Sequence, residues 1–189
     1  MSIVDKLKQL IFVKSRIWKY KLLSSCSNCI GKPKIFHPLL MNGKGQILFG
    51  KNVQIGVINS PNFYSHYSYL EVRNSKSKIS IGDNTSINNS FSAVAFSNIT
   101  IKNDVLIGYN CSIIDSDGHE LDSTNRNTSD IVSKSVLIEN NVFIGNNVTI
   151  LKGVTIGENS IIGACSVVTR SIPSNVIAAG NPAEEIKKI

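Results

Sequence analysis

No stretch of this 189-residue chain approaches the ~18 consecutive apolar residues that a membrane-spanning helix needs. Leu10 to Val13 is too short for the apolar core of a secretory signal, and lysines flank it. A cytoplasmic location is expected. Charged residues are scarce at 17% and aromatics at 7%, while Ile, Val, Asn, Ser and Gly abound. That mixture suits short strands and tight turns rather than a helical bundle. Of the four cysteines, only Cys26 and Cys29 form a C-x-x-C pair. A zinc or redox site would need more ligands, so free thiols in a reducing compartment and no metal are expected.

Charge is also missing from most of the chain. The net charge is +7, but residues 1–23 hold Lys6, Lys8, Lys14, Arg16, Lys19 and Lys21 against Asp5 alone. This describes a basic arm on a nearly neutral body, not a nucleic-acid-binding face. Within the arm, Ile3, Val4, Leu7, Leu10, Ile11, Trp18 and Leu22 recur with helical spacing, although Lys14 and Lys21 intrude. The arm is expected to be a helix that packs on the body or a neighbouring subunit, with peripheral contact to the inner membrane face as the alternative. Residues 24–45, punctuated by Pro33, Pro38, Gly43 and Gly45, are expected to be a connector.

What is present in abundance is a period of six. Ile138, Ile144, Ile150, Ile156, Ile162 and Val168 stand six apart, each preceded two residues earlier by Val136, Val142, Val148, Val154, Ser160 or Ser166. A six-residue period fits neither an amphipathic helix nor a lone strand; it is the period of a hexapeptide β-helix. Three such units make one triangular coil. Ile81/Ile87/Ala93, Ile101/Ile107/Ile113, Ile138/Ile144/Ile150 and Ile156/Ile162/Val168 are expected to be successive coils, with each aliphatic stacked on its counterpart. Burying one such side chain is worth about 1.5–3 kcal/mol, and no coil can cover its own edge, so coils must stack. Corners need a left-handed backbone, which Asn140–Asn141, Asn146–Asn147, Asn159 and Gly153 can supply. Residues 57–78 break the phase and are read as a degenerate coil or loop. The expected organisation is an arm and connector over 1–45, a β-helix over 46–183, and a short helix or tail over 184–189.

One interruption is longer than the rest. From Ile113 to Ile138 the chain leaves the repeat, and the bulge carries Asp115, Asp117, His119 and Glu120. Long loops on rigid repeats tend to carry function. His119 alone among the three histidines lies amid carboxylates, which can fix its tautomer and strengthen it as a base.

Three segments resemble the hexapeptide-repeat acyltransferases, which have a left-handed parallel β-helix. They are Ile114–His119, Val142–Gly157 and Ala164–Pro173 with Ala178–Ala183. Within that family the chain looks most like the sugar and polysaccharide O-acetyltransferases. The resemblance implies a homotrimer with active sites between subunits, acetyl-CoA as co-substrate and a carbohydrate acceptor, such as a bacterial surface glycan or its precursor. It makes His119 the general base, oriented by Asp117 or, second, Asp115. It assigns the coenzyme to Gly145, Gly163, Ala164 and Ser166, with Thr169 and Arg170 near the phosphates. Gly180, Asn181 and Pro182 would close over the adenine end, and Lys187 and Lys188 would add positive potential. Asn89 and Arg126 become candidate acceptor contacts. Phe143 stands where many members have Trp; it keeps an apolar wall and loses the indole donor. An N-acetyltransferase of an amino sugar or a small-molecule acetyltransferase is the alternative. A zinc-dependent carbonic anhydrase of the same fold would need three converging histidines, and His37, His66 and His119 are separated by 29 and 53 residues.

Overall fold

The computed structural model describes residues 2–120, 122–125 and 131–189. Among them no helix is long and apolar enough to cross a membrane. The body is a prism with three parallel sheets, A, B and C, of six, eight and six strands. The chain visits A, B and C in turn, so three consecutive strands make one coil.

The register matches the six-residue columns. On sheet A, β7 (Lys78–Ile81), β10 (Asn98–Ile101), β13 (Val136–Ile138) and β16 (Thr155–Ile156) align Ile81, Ile101, Ile138 and Ile156. On sheet B, β8 (Ser86–Ile87), β11 (Leu106–Ile107), β14 (Phe143–Ile144) and β17 (Ile161–Ile162) align Ile87, Ile107, Ile144 and Ile162. On sheet C, β9 (Ser92–Ala95), β12 (Ser112–Ile114), β15 (Thr149–Ile150) and β18 (Val167–Val168) align Ala93, Ile113, Ile150 and Val168. All twelve are at most 4% exposed and belong to one continuous core. Left-handed φ falls at Asn141, Asn147, Asn159 and Gly153 as expected. At Asn140 and Asn146 the side-chain oxygen is used instead, accepting from the N–H of Asn103 and of Tyr109. Ser160 and Ser166, which replace Val in the small-residue column, are fully buried, and each hydroxyl donates to a carbonyl at 2.6 Å.

Three expectations about boundaries are corrected. Residues 24–45 are not a connector but the first coil, built by β1 (Cys29–Ile30), β2 (Lys34–Ile35) and β3 (Leu39–Gly43) on sheets A, B and C. Pro33 and Pro38 sit between these strands, where no ladder donor is required. The β-helix therefore begins before residue 46. The second coil, β4 (Gln46–Phe49), β5 (Gln54–Ile55) and β6 (Ser68–Val72), is complete, with a loop at 57–67 inserted between B and C. Finally, the C-terminus is neither a helix nor a loose tail. After β19 (Val176–Gly180), strand β20 (Ala183–Lys188) folds back antiparallel onto it. This closes the open edge of sheet B with residues whose outward faces are charged.

The arm is helical. A capping box of Ser2 and Asp5 starts α1 (Ile3–Gln9), a π turn spans Leu10–Lys14, and α2 (Ser15–Leu23) follows. One face docks: Val13 is buried and lines a small cavity with Ile17, Ile35, Phe36, Ile58 and Phe63, and Tyr20 stacks on Tyr67 at 4.5 Å. Leu7, Ile11, Trp18 and Leu22 remain more than half exposed. Under the helix, loop 57–67 is clamped by buried polar side chains from both neighbouring coils. His37 Nε2 lies 3.1 Å from the carbonyls of Asn62 and Ser65, and burial lowers the imidazole pKa. The helix and loop thus cover the B–C edge of the early coils, while the same edge of the later coils stays open.

Candidate active site

The interruption predicted after Ile113 leaves the prism at the edge between sheets C and A. Its neck is a short antiparallel contact. Ser116 bridges Ser133, Asp117 N–H donates to Val132 O at 3.2 Å, and Lys134 N–H donates to Asp115 O at 2.8 Å. Two carboxylates fix this neck. Asp115 is fully buried, and its oxygens accept from the N–H groups of Phe96 and Ser97, both at 2.7 Å. Burial raises its carboxyl pKa, although those N–H bonds pull the other way. Asp117 accepts from Lys152 Nζ at 2.6 Å through Oδ2. Lys152 belongs to the next coil, at the corner between β15 and β16. His119 then stands exposed beyond the neck.

The expected roles of the carboxylates change accordingly. Asp115 is not a candidate to orient His119, because both oxygens face inward to cap the β9–β10 corner. Asp117 keeps a place at the base of the loop, but Lys152 occupies one of its oxygens. Lys152 was missed in the sequence, and a signal existed: it lies 18 residues after Lys134, one coil further along the edge from which the loop departs.

Other candidates are sorted by burial. Asn89 is not an acceptor contact. It is fully buried, accepts from Val57 N–H at 3.0 Å and donates to the carbonyls of Val57 and Pro61 at 3.1 and 2.9 Å. It clamps the 57–67 loop. Ser166 does not face a ligand either, since its hydroxyl donates to Gly163 O and accepts from Gly180 N–H. Arg126 lies outside the described residues.

The remaining coenzyme candidates fall on two separate edges. Gly145, Gly163 and Ala164 follow each other along the B–C edge, and the hairpin tip Gly180–Asn181–Pro182 joins them through the Ser166 bond. At Gly145 and Gly163 a Cβ would meet the next layer, at 2.6 Å from Ala164 N and 2.7 Å from Ala179 Cβ. Coil packing therefore demands both glycines, whatever else they do. Ala164 and residues 180–182 are exposed. Thr169 and Arg170 are also exposed but lie on the C–A edge, with the His119 loop and Lys152. Lys187 and Lys188 point outward from β20 at the end of sheet B. Phe143 is 47% exposed on the outer face of sheet B, aligned with Leu106, which is 51% exposed, and with Ile161.

A cavity of about 540 Å³ opens on the C–A edge beside the neck, walled by corners 74–76 and 96–98 and by Ser133. Two of the four cysteines are disfavoured as thiolates. Cys29 is desolvated and its thiol pushed up to about 12, while Cys111 is buried and pushed up to about 11. Thiols so disfavoured as thiolates are poor nucleophiles and poor metal ligands. Among the described residues no cluster of His, Cys, Asp and Glu could hold a metal ion.

Residues 135–170 match the family described as bacterial transferase hexapeptide, over six repeats. The chain carries this repeat, and its fold is similar to that of hexapeptide-repeat acetyltransferases. It is similar along most of its length to solved acetyltransferase structures. A galactoside acetyltransferase in complex with coenzyme A is 27% identical, with a TM-score of 0.60, covering 100% of this chain and 84% of that one. A hexapeptide-repeat-containing acetyltransferase from Vibrio cholerae O1 biovar eltor, complexed with acetyl coenzyme A, is 26% identical, with a TM-score of 0.58, covering 93% and 76%. The polySia-specific acetyltransferase NeuO is 26% identical, with a TM-score of 0.64, covering 86% and 83%. No curated protein sequence matches the chain.

Proposed function

We propose that the protein transfers the acetyl group of acetyl-CoA to a hydroxyl of a sugar, with His119 as general base. The observation that carries this reading is the placement of His119: exposed beyond a neck that Asp115 and Asp117 anchor to two different coils. An imidazole nitrogen takes the acceptor proton as the hydroxyl oxygen attacks the thioester carbonyl. The tetrahedral oxyanion accepts a hydrogen bond from a backbone N–H at a coil corner. Its collapse breaks the carbon–sulfur bond, and the departing thiolate receives the proton from the imidazolium. No acyl-enzyme is needed, in keeping with the desolvated state of Cys111 and Cys29. The test is release of the coenzyme thiol from acetyl-CoA against a panel of free sugars, oligosaccharides, sugar nucleotides and amines. A hydroxyl-bearing sugar should be the preferred acceptor; preference for amines would overturn the O-transfer reading.

The active form is a trimer in which neighbouring chains complete each site. Support comes from the separation of the two edges. His119 and Arg170 lie on the C–A edge, and Ala164 and Gly180–Pro182 on the B–C edge, with sheet C between them. One chain cannot turn both toward a single coenzyme, whereas in a closed ring the C–A edge of one copy meets the B–C edge of the next. The exposed Leu106 and Phe143 give sheet B an apolar face to cover. In this assembly Ala164 and the 180–182 tip leave backbone open to the pantetheine amides. Arg170 and Lys187 supply positive charge for the phosphates.

Mixing inactive chains tests the sharing. Trimers reassembled from equal amounts of His119→Ala and Ala164→Trp chains should regain about one quarter of wild-type activity, since about one interface in four then carries both intact halves. Activity no higher than that of the two variants separately would overturn the shared site.

A further inference from the structure

The mechanism above leaves unused the cavity on the C–A edge, and the chemistry of its wall is one-sided. Its cation is Lys76, exposed at the corner between β6 and β7. Among the described residues no carboxylate is paired with it. The other basic group of that corner, Arg73, is committed: its Nε binds Glu71 Oε1 at 2.8 Å, and its guanidinium lies 5.3 Å from the Phe96 ring. Amides and hydroxyls supply the rest of the polar lining. Asn74 holds the two walls together by donating to Phe96 O at 2.8 Å. Asn98 is exposed, and among the described residues its Nδ2 reaches only the Ser97 and Ser135 hydroxyls, at 3.4 and 3.5 Å. These are long contacts that a better acceptor would displace. Phe96 adds an apolar patch of the kind that packs on the C–H face of a sugar ring.

The short corners of this edge carry positive charge, whereas the long loop that leaves it holds Asp115, Asp117, Glu120 and Asp122, with Asp117 already paired to Lys152. The corners at 44–45, 73–77, 96–97, 151–154 and 169–171 contain Lys44, Arg73, Lys76, Lys152 and Arg170 and no Asp or Glu. The cavity is also joined to the catalytic loop, because Ser133 in its wall bridges Ser116, three residues before His119. A volume of about 540 Å³ is that of a small-molecule subsite.

Building on the acetyl-transfer reading, we propose that this cavity is an acceptor subsite for an anionic sugar unit. Lys76 binds the carboxylate or phosphate, Asn98 binds ring hydroxyls, and a neighbouring unit of the same glycan meets His119. The acceptor is thus an acidic oligosaccharide or polysaccharide rather than a neutral mono- or disaccharide.

The test compares acetyl transfer to acidic oligosaccharides of increasing length (hexuronate, sialic acid and phosphorylated series) with transfer to the same oligosaccharides after methyl esterification or dephosphorylation. Binding of the same panel to His119→Ala protein is measured in parallel. The best acceptor should be acidic and at least two units long, and removal of its charge should raise KM. Lys76→Glu should raise KM for the acidic acceptor about tenfold or more while leaving kcat and KM for acetyl-CoA unchanged. Both substituted positions are exposed, so Lys76→Glu and Asn98→Ala should keep the wild-type unfolding temperature. A neutral best acceptor, or an acidic one whose KM and binding ignore Lys76→Glu, would overturn the subsite while leaving acetyl transfer standing. Absence of transfer to any sugar, with no binding to the His119→Ala protein, would overturn both.

Discussion

Replacing His119 by alanine should lower kcat for acetyl transfer by about 10²–10⁴-fold, the range that general base assistance supplies. The unfolding temperature should stay at the wild-type value. His119 is exposed and stands outside the core that the inward columns build, so its removal opens no cavity. Affinity for acetyl-CoA should also persist, because the proposed coenzyme contacts lie on the corners and the hairpin tip. That combination of lost turnover with retained fold and coenzyme binding distinguishes a base from a structural side chain. Steady-state kinetics with equilibrium binding of coenzyme A would measure it, and wild-type turnover in the variant would sink the mechanism.

The second large effect concerns a residue that touches no substrate. Asp115→Ala leaves two part-buried N–H groups, those of Phe96 and Ser97, without their 2.7 Å acceptors. Unpaired part-buried donors of this kind should cost about 2–5 kcal/mol together. The loss should not be confined to stability. Asp115 holds the first residues of the catalytic loop against the β9–β10 corner, so His119 loses half of its anchorage, and displacement of a catalytic group can cost about 10²-fold in turnover. Asp115→Asn should be intermediate, because its NH2 group faces one of the two N–H groups, donor against donor. Burial already disfavours the carboxylate charge at this site, and the amide oxygen still accepts one of the bonds. Denaturant unfolding and kcat, measured on both variants, give the comparison. Equal stability of Asp115→Ala and wild type would show that the buried carboxylate is not the anchor.

The contrast between these two aspartate-loop positions also explains what could be read in advance. The inward columns were legible because burial of one side of a triangular coil leaves a period of six within each coil, broken between Ile81 and Val168 only by a two-residue slip after Ala93 and by the long loop after Ile113. The first coil was not, because a coil with one neighbour tolerates proline at its corners and a five-residue rhythm; Cys29, Lys34 and Leu39 begin its strands. The 183–188 strand was hidden for a related reason, since an edge strand lying against one neighbour needs few apolar residues. At the site, His119 could be found from its place in the interruption. Asp115, Asn89 and Ser166 could not be assigned, because the same oxygen that would bind a substrate also caps a buried corner. Only their burial and short contacts to backbone distinguish the two uses. Lys152 and Lys76 illustrate the reverse. They look like ordinary surface lysines until the coil count puts both on the edge where the loop emerges.

The side-chain ladders at the corners carry a last consequence. Asn141 donates to Asn159, which donates to Asn175, at 2.9 and 2.8 Å. In an earlier run Asn52 donates to Asn84, which donates to Asp104, at 3.2 and 3.0 Å. In these two runs each amide donates toward the C-terminal end, so the ladders are polar, like a row of magnets laid head to tail. Such a molecule can lengthen or shorten only by whole turns. Adding a complete coil extends each ladder and each aliphatic column by one rung, whereas adding a few residues within a face misaligns all three sheets at once. Length variation is therefore quantised along the axis and free only at the edges. The two long excursions of this chain, at 57–67 and after Ile114, both leave from edges.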